Sequence, residues 1–511
     1  MEVIPLTSGE KSCFEWYRCR SVIKLPGAFR SSYWTTLLFQ AYATEPAIRH
    51  AVLALASAHM EEVRGAGLMA SERNDERALS TVRQYNKAIT YLQPCFSDGR
   101  RISVRITLIT CTLFVYMEFL RGHYTKGIAH LDHGLGLIQC IGSSVKSQDP
   151  LSAQVDGWIV ATFTRLLVQV KLLGQELKSP YQSFLSSGIQ SNLGLFRSIH
   201  HARHTLEHIV LRTFNLQEQI HDLTKATSAE SSTTWCVLQN EIRHELEIWL
   251  AAHEATVSNL SPQSTIWEVF AYRLLRIFHR VAKILVNTCL DPLNELIFDV
   301  YESDFLGIIS NSIEIYQLLS PNGEGDTKAH HDPEPSSPNS ISDIAWIPPL
   351  YFTAIKCRNY RIRHQAVKLL ESTPHKEGMW SGTLAVCVAR QVVEVEEGNF
   401  YDHEVHEKFD MLAAPTDKDV ATPVLPEEFR LSKINVILPD DRAGKLCLKC
   451  FRKRRSSVIE WISKEYDLPS RQWRDIMDHP KQIHAAHGPK LSSSNFQATL
   501  TKRTSPLSNP H

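Results

Sequence analysis

By type and spacing, Cys447 and Cys450 are the residues best suited to chemistry, since they form a CxxC. A two-residue gap lets both sulfurs reach one tetrahedral Zn²⁺, but a structural site needs four ligands. The next downstream histidines, His479, His484 and His487, are too distant and too irregular for a finger. The pair therefore reads as incidental cysteines on an extended segment and a weak candidate for a metal. His130 and His133 lie three apart in HLDHGLGLI, and His403 and His406 repeat the spacing. Neither pair comes with a carboxylate or a third histidine at ligand spacing, so both read as polar surface.

The densest basic run is KCFRKRR, with Lys449, Arg452, Lys453, Arg454 and Arg455. It reads as a nuclear-import patch, a local phosphate-contacting patch, or a solvated basic turn before Val458–Trp461. For catalysis the chain lacks a GxSxG elbow, HExxH, a GK[ST] phosphate loop, a dinucleotide GxGxxG, and DFG or HRD elements. Gly65 and Gly67 fall in a polar loop with no phosphate-loop lysine after them. The sequence thus offers no catalytic residue and no cofactor-binding residue.

Composition narrows the class further. With 55 basic and 55 acidic residues, no global attraction to nucleic acid or anionic lipid is expected. Hydrophobic content of 43% with 22% charged residues suits a soluble globular protein. The 11 cysteines are scattered, unlike a secreted disulfide framework, which points to a reducing compartment. The N-terminus has no apolar signal core. The most apolar run, ITLITCTLFVYM at 106–117, is too short to span a bilayer, which needs about 20 such residues.

The elements that must position these residues are helical. The stretch from 44 to 62, TEPAIRHAVLALASAHMEE, opens with Thr44 as an expected cap and Pro46 in the first turn. Ile48, Val52, Leu55 and His59 share one face, and Ala47, Ala51, Ala54 and Ala58 another. A helix apolar on most of its circumference belongs inside a helical domain. Before it, Phe14, Trp16, Tyr17, Phe29, Tyr33, Trp34 and Phe39 mark a lead-in that packs down.

Further helices are expected over Leu79–Leu92, ending at Pro94, then over 101–120, 123–141 and 157–173. In the last pair but one, Gly127 and Gly134 cost stability unless a neighbouring helix comes close. Two more run through Trp235–Trp249 and Ile266–Leu285, and a pair at 346–371 and 376–397 follows. RLSKINVIL at 430–438 reads as a strand or extended arm. The fold class is all-α, a multi-helix array of antiparallel hairpins. Its expected divisions are an aromatic lead-in at 1–43, a helical domain in two parts at 44–319 and 344–470, a flexible linker at 320–343, and a disordered polar tail at 471–511.

Three stretches together carry a resemblance. The first joins Gly27-Ala28-Phe29 and Tyr33-Trp34 to Glu45-Pro46-Ala47-Ile48-Arg49-His50-Ala51-Val52. The second joins Gly122-His123-Tyr124 to His130-Leu131 and Gly134-Leu135. The third runs from Pro349 to Arg358, through Arg361, Arg363, Ala366 and Leu369-Leu370, to Gly378-Met379-Trp380. Their succession resembles the all-helical regulatory domain of fungal zinc-cluster transcription factors, over roughly residues 14 to 470.

The resemblance implies a nuclear transcription regulator, shuttling or resident, that governs a metabolic gene set such as a secondary-metabolite cluster. The family's zinc cluster needs six close cysteines beside a basic stretch, and only Cys13 and Cys19 precede the core here. No zinc cofactor and no direct DNA reader are therefore expected in these residues. Control would come through other transcription proteins, a DNA-binding partner, a second copy of the chain or a small-molecule effector, with no membrane involved. The reading from another class is an all-helical enzyme, small-molecule binder or scaffold without a standard motif.

Overall fold

The structure is a computed structural model that describes residues 6–30, 33–65, 71–97, 102–144, 157–179, 181, 193–223, 230–261, 263–319, 340–401, 409–416, 423–440, 444–454 and 459–476. Most of the expected linker, 320–339, and the expected tail beyond Ile476 lie outside them.

The chain folds as the expected array of helical hairpins. Its hub is α4 (Pro46–Gly65), on which α1 (Ser8–Trp16), α3 (Leu38–Thr44), α5 (Ser71–Ser97) and α6 (Ile102–Arg121) all pack. Ile48, Val52, Leu55 and the four stripe alanines are all buried. His59 is buried too, with Nδ1 2.9 Å from Ser21 Oγ and accepting the Trp16 indole N–H at 3.4 Å. The lead-in aromatics join this core, as expected. Between α1 and the short α2 (Val22–Lys24) the backbone makes one π-helical turn, and Tyr33–Leu37 makes another.

Three local expectations change. Thr44 does not cap α4: it ends α3, and its hydroxyl donates back to Gln40 and Ala41 carbonyls. A hydroxyl one residue further from Pro46 is better used closing the preceding turn. On α5, Leu79 and Val82 are exposed, and the face that packs carries Thr81, Gln84, Ala88 and Leu92. Those polar positions are tolerated because they find partners: Thr81 Oγ1 donates to Ser57 at 2.9 Å and Gln84 Nε2 to Glu10 at 3.0 Å. The helix also continues past Pro94 to Ser97, where a missing N–H in the last turn costs one bond.

In α7 (Tyr124–Ser144) the glycines serve close approach. A Cβ on Gly127 would stand 2.4 Å from the Phe119 ring of α6, and one on Gly134 2.3 Å from the Phe163 ring of α8 (Gly157–Leu172). After α8 come α9 (Ile199–Leu223), α10 (Glu230–Ser258), α11 (Ile266–Thr288) and α12 (Glu302–Leu319). Trp249 of α10 is fully buried, donates to Ala202 O at 2.8 Å, and lies stacked between His253 and His279.

The stretch at 346–371 is two helices, α13 (Ile347–Lys356) and α14 (Tyr360–Glu371). Cys357 is extended, and Asn359 restarts the helix by accepting the Ile362 N–H at 3.3 Å. A tiny hairpin, β1 (Lys376–Glu377) and β2 (Trp380–Ser381), leads into α15 (Gly382–Glu397). Beyond it the expected arm is one strand of an antiparallel four-stranded meander: β3 (Leu431–Ile437), β4 (Lys445–Lys453), β5 (Ile459–Asp467) and β6 (Gln472–Asp475). The fold therefore runs past the expected boundary at 470, and the all-α array carries a small sheet.

A buried ionic network ties the sheet to the helices. Arg358 Nη2 lies 2.8 Å from Glu396 and 2.9 Å from Glu295, Lys356 lies 2.7 Å from Glu295, and Arg363 pairs with both Glu396 and Glu397. Glu396 also accepts the Leu431 backbone N–H of β3 at 2.6 Å. Three cations thus meet three carboxylates, the balance that buried charge requires.

The expected linker ends early. Ser342 donates to Leu25 O through both its N–H (2.9 Å) and its hydroxyl (2.7 Å), and Ile341 N–H donates to Lys376 O at 2.8 Å. Ser340, Ser342 and Asp343 are buried. Polar composition there reflects hydrogen bonds to be met inside the fold, not solvent.

Candidate functional site

A concavity lies where α8, α9 and the π-turn at Tyr33–Leu37 meet, and measures about 340 Å³. Trp158, Ala161, Thr162 and Arg165 recur at helical spacing and turn one face of α8 toward it. His200, His201 and His204 line it from the first turns of α9, and Tyr33 and Leu37 close the side. Tyr33 and Trp158 lie with ring centroids 4.9 Å apart at 35°, and the Tyr33 hydroxyl is fixed 3.2 Å from Thr112.

The electrostatics are uneven. Arg203, buried just behind the cavity, holds Asp343 through both Nη atoms, Glu207 through Nε at 2.6 Å, and lies 4.1 Å from the centre of the Phe29 ring. That guanidinium is fully used. Arg165 is not: among the described residues its Nε is buried without a hydrogen-bond partner and stands 4.0 Å from Glu207 Oε1. Burial raises the Glu207 carboxyl above its ordinary value despite Arg203 and Arg165. Asp343 goes the other way, since Arg203 outweighs burial and holds it low.

The histidines are poised as neutral partners. Burial, then the charge of Arg165, lowers both His200 and His204 below the ordinary imidazole value. His200 donates through Nε2 to Arg30 O at 2.8 Å, and His204 meets His208 at 3.0 Å between Nε2 atoms. Their Nδ1 atoms are buried without hydrogen-bond partners among the described residues. Among the described residues no group of three or more His, Cys, Asp or Glu is placed to hold a metal ion. The arrangement sets a buried guanidinium beside an aromatic wall.

The residues singled out by sequence lie elsewhere. Cys447 and Cys450 sit three apart on β4, so strand alternation sends them to opposite faces. Cys447 is half-buried opposite Glu465, whereas Cys450 is buried toward the helices. The two sulfurs do not converge. The basic run is not a solvated turn but most of central strand β4, paired on both sides. Arg452 is buried and 3.1 Å from Glu460, which Arg454 also meets at 2.8 Å, while Lys453 lies 3.4 Å from Glu427. Lys449 lies between Asn435 and Ser463 on the neighbouring strands, and Arg455 lies outside the described residues.

His130 turns inward to Tyr85, 3.1 Å away, and His133 is exposed, so they share nothing. His403, His406, His479, His484 and His487 lie outside the described residues. Sequence reasoning missed Arg165 and the α9 histidines. The available signal was His200, His204 and His208, each one turn apart on a single helix face.

The family model of the fungal specific transcription factor domain matches residues 13–373, which include every lining residue of the cavity. No curated protein and no solved structure matches the chain.

Proposed function

Because the chain belongs to the fungal-specific transcription factor domain family, we propose that it regulates transcription from the nucleus and that occupancy of the α8–α9 cavity sets its activity. The family match supports the regulatory role. The observation behind control by a ligand is Arg165, a cation in the cavity wall whose nearest carboxylate among the described residues, Glu207, stands 4.0 Å away. A ligand acts on such a protein only by binding one helix packing better than another. The cavity is suited to that, because it joins the N-terminal π-turn to two helices from the middle of the chain. The regulated genes form a metabolic set, and the chain reaches them through a DNA-binding partner or a second copy of itself.

The test is to tether the full chain to an unrelated DNA-binding module upstream of a reporter, and to compare transcripts with and without the native gene. Reporter output is expected to rise or fall against the module alone, with a coherent group of metabolic transcripts moving on deletion. An unchanged reporter together with an unchanged transcript profile overturns the proposal.

A further inference from the structure

We infer that the cavity takes a small aromatic monocarboxylate, with its carboxylate on Arg165 and its ring against Tyr33 and Trp158. The inference rests on the reading of the cavity as a control site and adds the chemistry of the occupant. Charge comes first. Arg203 already engages Asp343 and Glu207, so Arg165 is the lining cation with no anion in hydrogen-bond reach. A guanidinium presents planar, parallel donors that fit one carboxylate in two hydrogen bonds, better than they fit a point anion.

Count comes next. His200 and His204 are held toward the neutral form by burial and by Arg165, so they offer hydrogen bonds and no further positive charge. Arg165 is the one arginine or lysine among the described lining residues, so it can meet one negative charge on the ligand, whereas a second would go unmet. Shape completes the case. The tilted rings of Tyr33 and Trp158 form a rigid aromatic wall, which favours an offset ring over a flexible chain that must lose its rotamer freedom. A volume of about 340 Å³ is at the lower end of the range for small-molecule sites.

The test is titration of the purified full-length chain with benzoate, 4-hydroxybenzoate and indole-3-carboxylate, read by calorimetry and by tryptophan fluorescence near Trp158. Saturable binding is expected. Arg165→Met, and replacement of the carboxylate by its carboxamide, should each weaken it by about tenfold or more. Octanoate and inorganic phosphate should bind at least about tenfold more weakly than the best aromatic acid. Ala161→Phe, which fills the cavity and leaves Arg165 in place, should remove binding as well, and it serves if Arg165→Met fails to fold by circular dichroism.

Absence of saturable binding by all three acids overturns the inference. So does equal affinity for acid and amide, or tighter binding of octanoate or phosphate. A chain that drives the tethered reporter but binds none of the acids loses the ligand class and keeps the regulatory role. A chain that binds them but leaves the reporter unchanged keeps the ligand and loses that role.

Discussion

Arg358 and Glu396 meet at 2.8 Å with neither side chain exposed to solvent, one at the break between α13 and α14 and the other near the end of α15. Burial by itself would raise the Glu396 carboxyl, but Arg358 and Arg363 outweigh it and hold it at about 2. Glu396 also receives the first amide of β3, so one carboxylate joins two helices to the sheet.

Two substitutions at Glu396 separate these roles. Glu396→Gln keeps an acceptor for Leu431 N–H but takes a charge partner from two buried guanidinium groups, leaving Arg358 with Glu295 and Arg363 with Glu397, and is expected to cost about 3 kcal/mol in urea unfolding. Glu396→Ala should cost at least as much and also abolish hydrogen-exchange protection at the Leu431 amide. Unchanged protection in the alanine variant would show that the carboxylate does not anchor β3.

The hub helix answers to packing alone. Ile48→Val should cost about 1 kcal/mol, the ordinary loss for one buried methylene. Val52→Asp should yield no folded protein, because a carboxylate with no partner would replace a fully buried valine. Soluble, cooperatively melting Val52→Asp protein would remove α4 from the centre of the fold.

Acid should destabilise the chain well before its carboxylates protonate. Burial, reinforced by Lys24 and Arg20, pulls His59 down to about 4, and burial with Arg276 pulls His279 to about 3. Unfolded histidines titrate near 6.5, so below about 6.5 the unfolded chain takes up protons that the folded chain refuses. Stability is therefore full above that value and falls with pH down to about 4, by roughly 3 kcal/mol per pH unit for the two residues together. His50, His130 and His253 shift in the same direction, also through burial. A melting temperature that stays level from about pH 7 to about pH 5 would contradict this placement of the histidines.

Strand alternation makes Cys447 and Cys450 chemically unequal. In native protein, iodoacetamide should label half-buried Cys447 measurably faster than Cys450, which is 1% exposed and whose thiol burial pushes up to about 12. Mass spectrometry of the tryptic peptides reads the difference. Equal labelling rates would place both sulfurs on one face and revive the idea of a shared ligand site.

How much of this was visible in the residues depends on where the partners lie. Helix α4 is legible because its apolar periodicity is local and almost unbroken, and Gly127 and Gly134 correctly signal close approach by neighbours. The face of α5 is misleading, since Thr81 and Gln84 are buried by hydrogen bonds to α4 and α1 that periodicity does not register. The sheet is hidden because Arg452 occupies a buried position and basic residues mask the period of two on β4. The cavity is the least legible. Which carboxylates remain for Arg165 depends on Arg203 behind it, whose partner Asp343 is 140 residues away in a stretch that reads as linker. The helix carrying its histidines, α9, has a good apolar stripe in Leu206, Ile209, Thr213 and Ile220, but six charged or imidazole side chains crowd its first turns.

The attachment of Ser342 to Leu25 and of Asp343 to Arg203 also sets a clock on synthesis. The lead-in segment is made before the helices it packs on, and its backbone partner at Ser342 follows Leu25 by 317 residues, about 15–60 s at ordinary elongation rates. Through that interval Leu25 O lacks Ser342, and Arg203 waits 140 residues for Asp343. Chains released before residue 343 leave Arg203 with Glu207 but without Asp343, and Leu25 O without Ser342, so premature termination there should yield protein that is held by chaperones or degraded instead of accumulating as a smaller folded domain.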